Sequence, residues 1–228
     1  MDLRVVYIFF QVVAFLFAIS VHESAHAWTA SRLGDPTARM LGRVSLNPLK
    51  HIDIIGTVIL PVFAAITGLP MFGWAKPTPV DPRNFKHPRR DDILTSIAGP
   101  ISNFLVVLGC LVVMAVIANT SAAGEAVVHG LATFGLGGIV DAGGLTPLAL
   151  MFYLLMLVNV WLGIFNLIPI PPLDGSHVIR HMLPDGIREI YDRSGMIALM
   201  LLVFFGGRLL GALASPAIAV LRMILASV

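Results

Sequence analysis

Charge is scarce in this chain of 228 residues. Asp, Glu, Lys and Arg together make up 12% of it, against roughly 25% in an ordinary soluble domain. That deficit, with no low-complexity tract, excludes a disordered chain. Cysteine is limited to Cys110, so an internal disulfide framework is excluded and nothing is learned about redox compartment. The net charge of +2 lacks the basic excess of a nucleic-acid binder, and no nucleic-acid partner is expected. What fills the chain instead is apolar: 57% hydrophobic residues and a mean hydropathy of +0.88. The implied class is an all-α polytopic membrane protein, surrounded by a lipid bilayer.

Four stretches are long enough to cross about 30 Å of hydrocarbon: residues 5–30, 93–118, 147–168 and 196–214. The first imitates a cleaved secretory signal, with Arg4 before an apolar run and Ala18 and Ser20 at cleavage-like spacing. The apolar helix continues to Ala30, however, and a cut after Ser20 would discard much of a spanning segment, so an uncleaved helix is expected. A fifth stretch, 54–69, is short and carries Pro61 and Gly68. Basic residues gather on both sides of it, at Arg32, Arg39, Arg43 and Lys50 and at Lys76, Arg83, Lys86, Arg89 and Arg90, whereas Thr120–Thr146 has none. The positive-inside rule puts both basic loops in the cytoplasm. Residues 54–82 therefore read as a re-entrant or partly inserted segment, and the first and third spans both run inward. Pro77, Pro79 and Pro82 make the end of that segment an extended loop. Residues 215–228 are left as an interfacial or inserted tail.

The chemistry concentrates in His22-Glu23-Ser24-Ala25-His26, an HExxH pattern inside the first helical span. Residues four apart turn about 40° beyond one full turn and rise about 6 Å, so both imidazoles leave one face and can grip one ion. An ionisable Glu within a span is a functional candidate by default. A catalytic zinc takes three protein ligands and one open position, and Asp174, directly after the third span, is the candidate for the third. Alone it would read as a loop carboxylate capping a helix or facing water; the two histidines approaching the same membrane side favour a ligand. Pro169, Pro171 and Pro172 break the third helix before it, and lipid tolerates such a break only where protein or a water-filled cavity lines it.

Three motifs stand in order along the chain: His22-Glu23-Ser24-Ala25-His26, Gly99-Pro100-Ile101-Ser102-Asn103-Phe104, and Asn166 through Gly175. With them the sequence resembles the zinc-dependent intramembrane metalloproteases of the site-2 protease type. The resemblance covers a three-helix catalytic core and implies one membrane-embedded protease domain over 1–228, with one Zn2+ per chain. It implies His22, His26 and Asp174 as zinc ligands and Glu23 as the general base. Asn103 and Asn166 are implied near the active site, holding substrate backbone or stabilising the oxyanion. Gly56–Val80 falls where the family has a membrane-inserted hairpin that contacts substrate. No PDZ domain fits between the second and third spans and no CBS module follows the last, as in a minimal prokaryotic-type member. The implied location is a prokaryotic cytoplasmic membrane, with the active site toward the cytoplasm.

The expected activity is hydrolysis of peptide bonds within or near transmembrane segments of single-span membrane proteins, in regulated intramembrane proteolysis. The oligomeric state is not legible. Haem ligation is disfavoured because two residues on one helix face cannot supply opposite axial ligands. A transporter or proton channel with Glu23 and Asp174 as relay carboxylates leaves two histidines at metal spacing unexplained. A zinc-binding but idle scaffold is at odds with an intact Glu23. His177 and His181 read mainly as solvated loop residues, with support of the metal site as the alternative. His51, His87 and His129 read as loop residues, and Cys110 as core or lipid-facing.

Overall fold

The computed structural model describes residues 3–60, 63 and 73–228. Helix α1 runs Leu3–Leu33 without a glycine or proline to interrupt it. It stops at Gly34, whose φ of +118° favours glycine and whose Cα lies under the Asn84 carbonyl; a Cβ there would sit 2.9 Å from that oxygen. A short helix α2 (Thr37–Met40) follows. Helix α3 (Pro88–Thr120) opens with proline at its first position, where no N–H is needed, and carries Pro100 inside. Helix α4 (Ala122–Phe134) starts on a Ser121 cap, whose hydroxyl accepts from the Gly124 amide. Helices α5 (Leu145–Asn166), α6 (Gly175–Arg180), α7 (Asp185–Phe205) and α8 (Gly207–Ala226) complete the chain. No β-strand occurs among the described residues.

Four of these helices are long and apolar enough to cross a membrane: Val6–Leu33, Pro88–Thr120, Leu145–Asn166 and Gly207–Ala226. The protein is an integral, multi-pass, all-α membrane protein. Helices α1, α3 and α5 pack against one another as the central bundle. The core runs through Ala14, Val107, Cys110, Met114, Tyr153, Met156 and Val160 and continues to Val127, Val128 and Leu131 of α4. Cys110 is thus part of the packed interior. Leu221 and Leu225 of α8 join the same cluster, so α8 ends at the α4 end of the bundle.

This arrangement changes one expected element. A single helix over 196–214 is replaced by a break at Gly206, with α7 before it and a crossing helix after it. The Leu202 carbonyl and side chain pack onto the Gly206 Cα, where a Cβ would clash, and the Gly206-Gly207 pair weakens helix locally. Since α8 runs toward the α4 end, α7 lies at the opposite end. Its Tyr191 hydroxyl donates to the Pro169 carbonyl at 2.8 Å, and its Gly195 packs on Pro171. The expected tail 215–228 is the second half of α8, and His129 lies on α4 rather than in a loop.

Much of the expected re-entrant segment, residues 61–62 and 64–72, lies outside the described residues. Its beginning is a π-helical turn, Ile54–Ile59, capped by Asp53, and residues 73–81 form neither helix nor strand, their alternate amides at 74, 76 and 78 turning inward as in an extended chain. The two ends meet. The Trp74 amide donates to the Gly56 carbonyl (3.2 Å), the Thr57 hydroxyl to the Trp74 carbonyl (2.7 Å), and the Lys76 amide to the carbonyl of His51 (2.8 Å). His51 is fully buried in its loop, with Nε2 2.7 Å from the Ser45 carbonyl.

Asp35 fastens the loops at this end. Fully buried, it accepts from the amide and hydroxyl of Thr37, from the Asn84 side chain at 2.9 Å and from the Asp81 amide at 2.8 Å. Burial opposes its charge, but the hydrogen bonds from Thr37, Asn84 and Asp81 outweigh it and hold the carboxyl below its ordinary range. Its stabilisation is therefore complete above the unfolded value, near pH 4, and is lost as pH falls through the lower folded value. Asp35→Ala should lower stability by about 2–4 kcal/mol, and should flatten the loss of stability as pH falls below about 4. Denaturant unfolding in detergent across that range is the measurement, and equal pH slopes for variant and wild type would remove Asp35 from this role.

Candidate metal centre

The HExxH pattern lies where α1 is packed against both α3 and α5. His22 and His26, 5% and 7% exposed, face the bundle interior from one side of α1. Helix α3 supplies the wall. His26 Nδ1 donates to the Thr95 carbonyl at 2.7 Å, and His22 Nδ1 lies 2.7 Å from Asn103 Oδ1. Between them Gly99 leaves room for the rings, since a Cβ there would overlap His26 Nε2 and lie 2.6 Å from His22 Nε2. Thr95, Gly99 and Asn103 recur at helical spacing, and all three are buried.

Asp174 arrives from a different element. After α5 the chain turns through Leu167–Leu173 and starts α6 at Gly175, which packs against the Leu167 and Ile168 carbonyls so closely that no side chain fits. That turn returns Asp174 to the imidazoles. Its Oδ2 lies 3.1 Å from His22 Nε2 and its Oδ1 3.4 Å from His26 Nε2. Helix α6 is fastened to the foot of α3, where His177 Nδ1 (3.0 Å) and His181 Nε2 (2.7 Å) both meet Oδ2 of the buried Asp92. The expectation of mainly solvated loop histidines is thereby revised: both sit on or at the end of α6 and hold it in place.

The donor set fits a metal ion. With both Nδ1 atoms facing oxygen acceptors, the ring protons belong on Nδ1 and both Nε2 lone pairs point inward. The two Nε2 atoms are only 3.0 Å apart, and the carboxylate stands beside them. Ligand atoms of all three residues lie within 4.8 Å of one another, and Asp174 Oδ2 is buried without a hydrogen-bond partner among the described residues. A tetrahedral zinc with ligands at about 2.0–2.1 Å keeps them roughly 3.3 Å apart. The observed 3.0–3.4 Å spacings match that arrangement.

Glu23 projects beside this trio toward the extended segment. Its Oε2 accepts from the Thr78 amide at 2.9 Å and from the Thr78 hydroxyl at 2.7 Å. Ser24, the next residue, hydrogen-bonds the Ser45 carbonyl and accepts from the Ser45 amide, fixing the loop that follows α2.

A family model described as peptidase family M50 matches residues 10–206. The chain belongs to peptidase family M50. It is therefore a zinc metalloprotease of the site-2 protease type, with zinc as its cofactor. Among named relatives, it is 36% identical over 180 residues to "Putative zinc metalloprotease YwhC" of Bacillus subtilis, covering 78% of this chain and 71% of that protein. It is 29% identical over 186 residues to "Putative zinc metalloprotease Rip2" of Mycolicibacterium smegmatis, covering 80% of this chain and 61% of the relative. No solved structure matches it.

The two asparagines named from the sequence differ in place. Asn103 is completely buried and engaged at both ends: its oxygen faces His22, and its nitrogen donates to Asn159 Oδ1 at 2.8 Å. Asn166 is not joined to the trio, and its amide donates back along α5 to the Leu162 carbonyl at 3.0 Å. Asn103 spends both amide hydrogens inside the bundle, on Asn159 and on the Ala18 carbonyl, whereas the Asn166 amide has a second hydrogen beyond the Leu162 bond. Sequence reasoning passed over Thr78, Thr95 and Asn159. Only Asn159 carried a signal, as an amide inside an apolar span.

Gly99→Ala tests the fit of the rings against α3. It should reduce the zinc content of the purified protein about tenfold or more with helical circular dichroism unchanged. Full zinc content in that variant would show that the imidazoles do not need the space.

Proposed function

We propose that this M50 chain is an intramembrane endopeptidase, cleaving peptide bonds within or near the transmembrane segments of single-span membrane proteins in regulated intramembrane proteolysis. The observation that carries the reading is the convergence of His22 and His26 from α1 with Asp174 from the α5–α6 turn, beside Glu23, inside a bundle of membrane-crossing helices. These three residues are the proposed ligands of one Zn2+ per chain. The loops and helix ends near that site hold Arg32, Arg39, Arg43, Lys50, Lys76, Arg83, Lys86, Arg89 and Arg90, whereas residues 121–144 at the α4 end have no Lys or Arg. By the positive-inside rule this asymmetry supports an active site toward the cytoplasmic side, in what we read as a prokaryotic cytoplasmic membrane.

Zinc bound there supplies Lewis acidity to the scissile carbonyl and brings the pKa of the attacking water to about 7. Glu23 takes the proton of that water and passes it to the leaving amide nitrogen. Thr78 holds Oε2 with two donors, which leaves Oε1 to carry the proton. The side chain of Asp174 is 18% exposed, the side from which water enters. A substrate helix must unwind to present its carbonyl, and the extended segment 73–81 offers an edge for it. Its Trp74, Lys76 and Thr78 amides are turned inward. The outward positions 75, 77 and 79 include two prolines, so that edge mainly accepts hydrogen bonds and an unwound substrate would donate them.

Metal analysis and cleavage of a single-span reporter in detergent test the reading. Wild type should hold about one zinc per chain, and His22→Ala and Asp174→Ala little. Glu23→Gln should keep the metal and lose cleavage by about a hundredfold or more. A wild type purified without chelator and free of zinc would overturn the proposal and favour Glu23 and Asp174 as transport relay carboxylates. Thr78→Val should lower kcat about tenfold with zinc content and KM unchanged; an unchanged kcat would mean that the hydroxyl does not orient Glu23.

A further inference from the structure

His22 can carry its ring proton on either nitrogen, and only the Nδ1 form turns an Nε2 lone pair toward His26 and Asp174. Behind His22 stands Asn103, a terminal amide of nearly the same shape either way round, whose orientation is set by its partners. Those partners form a chain with one permitted direction. The Leu155 carbonyl only accepts, so Asn159 presents its amide nitrogen there at 2.8 Å and turns its oxygen to α3. Asn103 meets that oxygen with Nδ2 at 2.8 Å, the same nitrogen reaching the Ala18 carbonyl at 3.4 Å. Asn103 Oδ1 is thereby left facing His22 Nδ1 at 2.7 Å. An oxygen at that point requires an N–H opposite it. Reversing the chain would set Asn159 Oδ1 against the Leu155 carbonyl oxygen at hydrogen-bond distance. Both asparagines are 0% exposed, so no solvent relieves the mismatch.

We propose that Asn159 is a positioning residue: acting through Asn103, it holds the His22 proton on Nδ1 and so aims the Nε2 lone pair into the metal centre. This rests on the reading of His22 as a zinc ligand. Asn159 touches none of the ligand atoms itself. Its contribution is the direction of the hydrogen-bond chain, which an apolar side chain of the same size cannot supply.

Two near-isosteric substitutions in the full chain separate direction from packing. Asn159→Leu removes both polar atoms. Asn159→Asp, protonated when buried, donates to Leu155 and accepts from Asn103 as the native residue does. After zinc loading, release into excess chelator should be about tenfold faster for Asn159→Leu and within about twofold of wild type for Asn159→Asp. Nitrogen-15 histidine spectra of the metal-free protein, with the His22 signals assigned by their loss in His22→Gln, should show Nδ1–H in wild type and Asn159→Asp. Asn159→Leu should show a mixture with Nε2–H. Wild-type zinc release in Asn159→Leu, or equal acceleration in both variants, would overturn the proposal, the second result indicating packing alone. A metal-free wild type protonated at Nε2 of His22 would overturn it even if Asn159→Leu fails to fold. A wild type that takes up no zinc would instead sink the metal reading, and the histidine spectra would still decide the relay.

Discussion

Two imidazole nitrogens 3.0 Å apart with a carboxylate beside them form a cluster of lone pairs that hydrocarbon cannot hold without a cation. The rest of the bundle is arranged to keep those lone pairs together. Helix α3 does most of this with one face. Its Asp92 fastens α6, its Thr95 carbonyl takes the His26 proton, its Gly99 clears space for both rings, and its Asn103 faces His22. These positions recur every three or four residues, the spacing that lays a stripe along a helix. Helix α1 runs antiparallel to it, so the lower-numbered histidine meets the higher-numbered partner. A one-residue slip between α1 and α3 would separate the Thr95, Gly99 and Asn103 contacts at once.

The three proposed ligands and Glu23 were legible because each violates a simple rule. Histidines and a glutamate inside an apolar helix, and an aspartate after a proline-broken span, are all costly placements. Their partners were less legible because they violate nothing. Thr95 contributes a main-chain carbonyl, which any residue type carries. Gly99 contributes an absence of atoms, and Thr78 sits 55 positions from Glu23 in an extended segment. The asparagines show the limit best. Asn159 and Asn166 lie seven residues apart on one face of α5, separated by about 10.5 Å along its axis. Only one of them can stand at the depth of Asn103 and His22, and it is Asn159, whereas the motif had drawn attention to Asn166.

Among the longer elements, hydropathy located the three central helices within a few residues of their ends. It failed at the fourth because apolar composition is continuous across Gly206. The break there comes from the Leu202 carbonyl closing on a residue with no side chain, a contact with no hydropathy signature. Helix α4 was hidden in the opposite way: it occupies a stretch read as a connection, and its Val127, Val128 and Leu131 cover the end of the core.

The two halves of the proposed metal centre differ in how they are held. The histidines ride on a continuous helix, where the backbone loses no further freedom when an ion binds. Asp174 ends a turn of seven residues after α5, a segment that would otherwise sample many positions. Two contacts remove that freedom: Gly175 seated under the Leu167 and Ile168 carbonyls, and His177 and His181 anchored on Asp92. Since Asp92 belongs to the helix that also orients His22 and His26, the carboxylate is referenced to the same rigid body as the imidazoles. The spacing of all three proposed ligands is therefore set by the position of α3, although α3 supplies none of them.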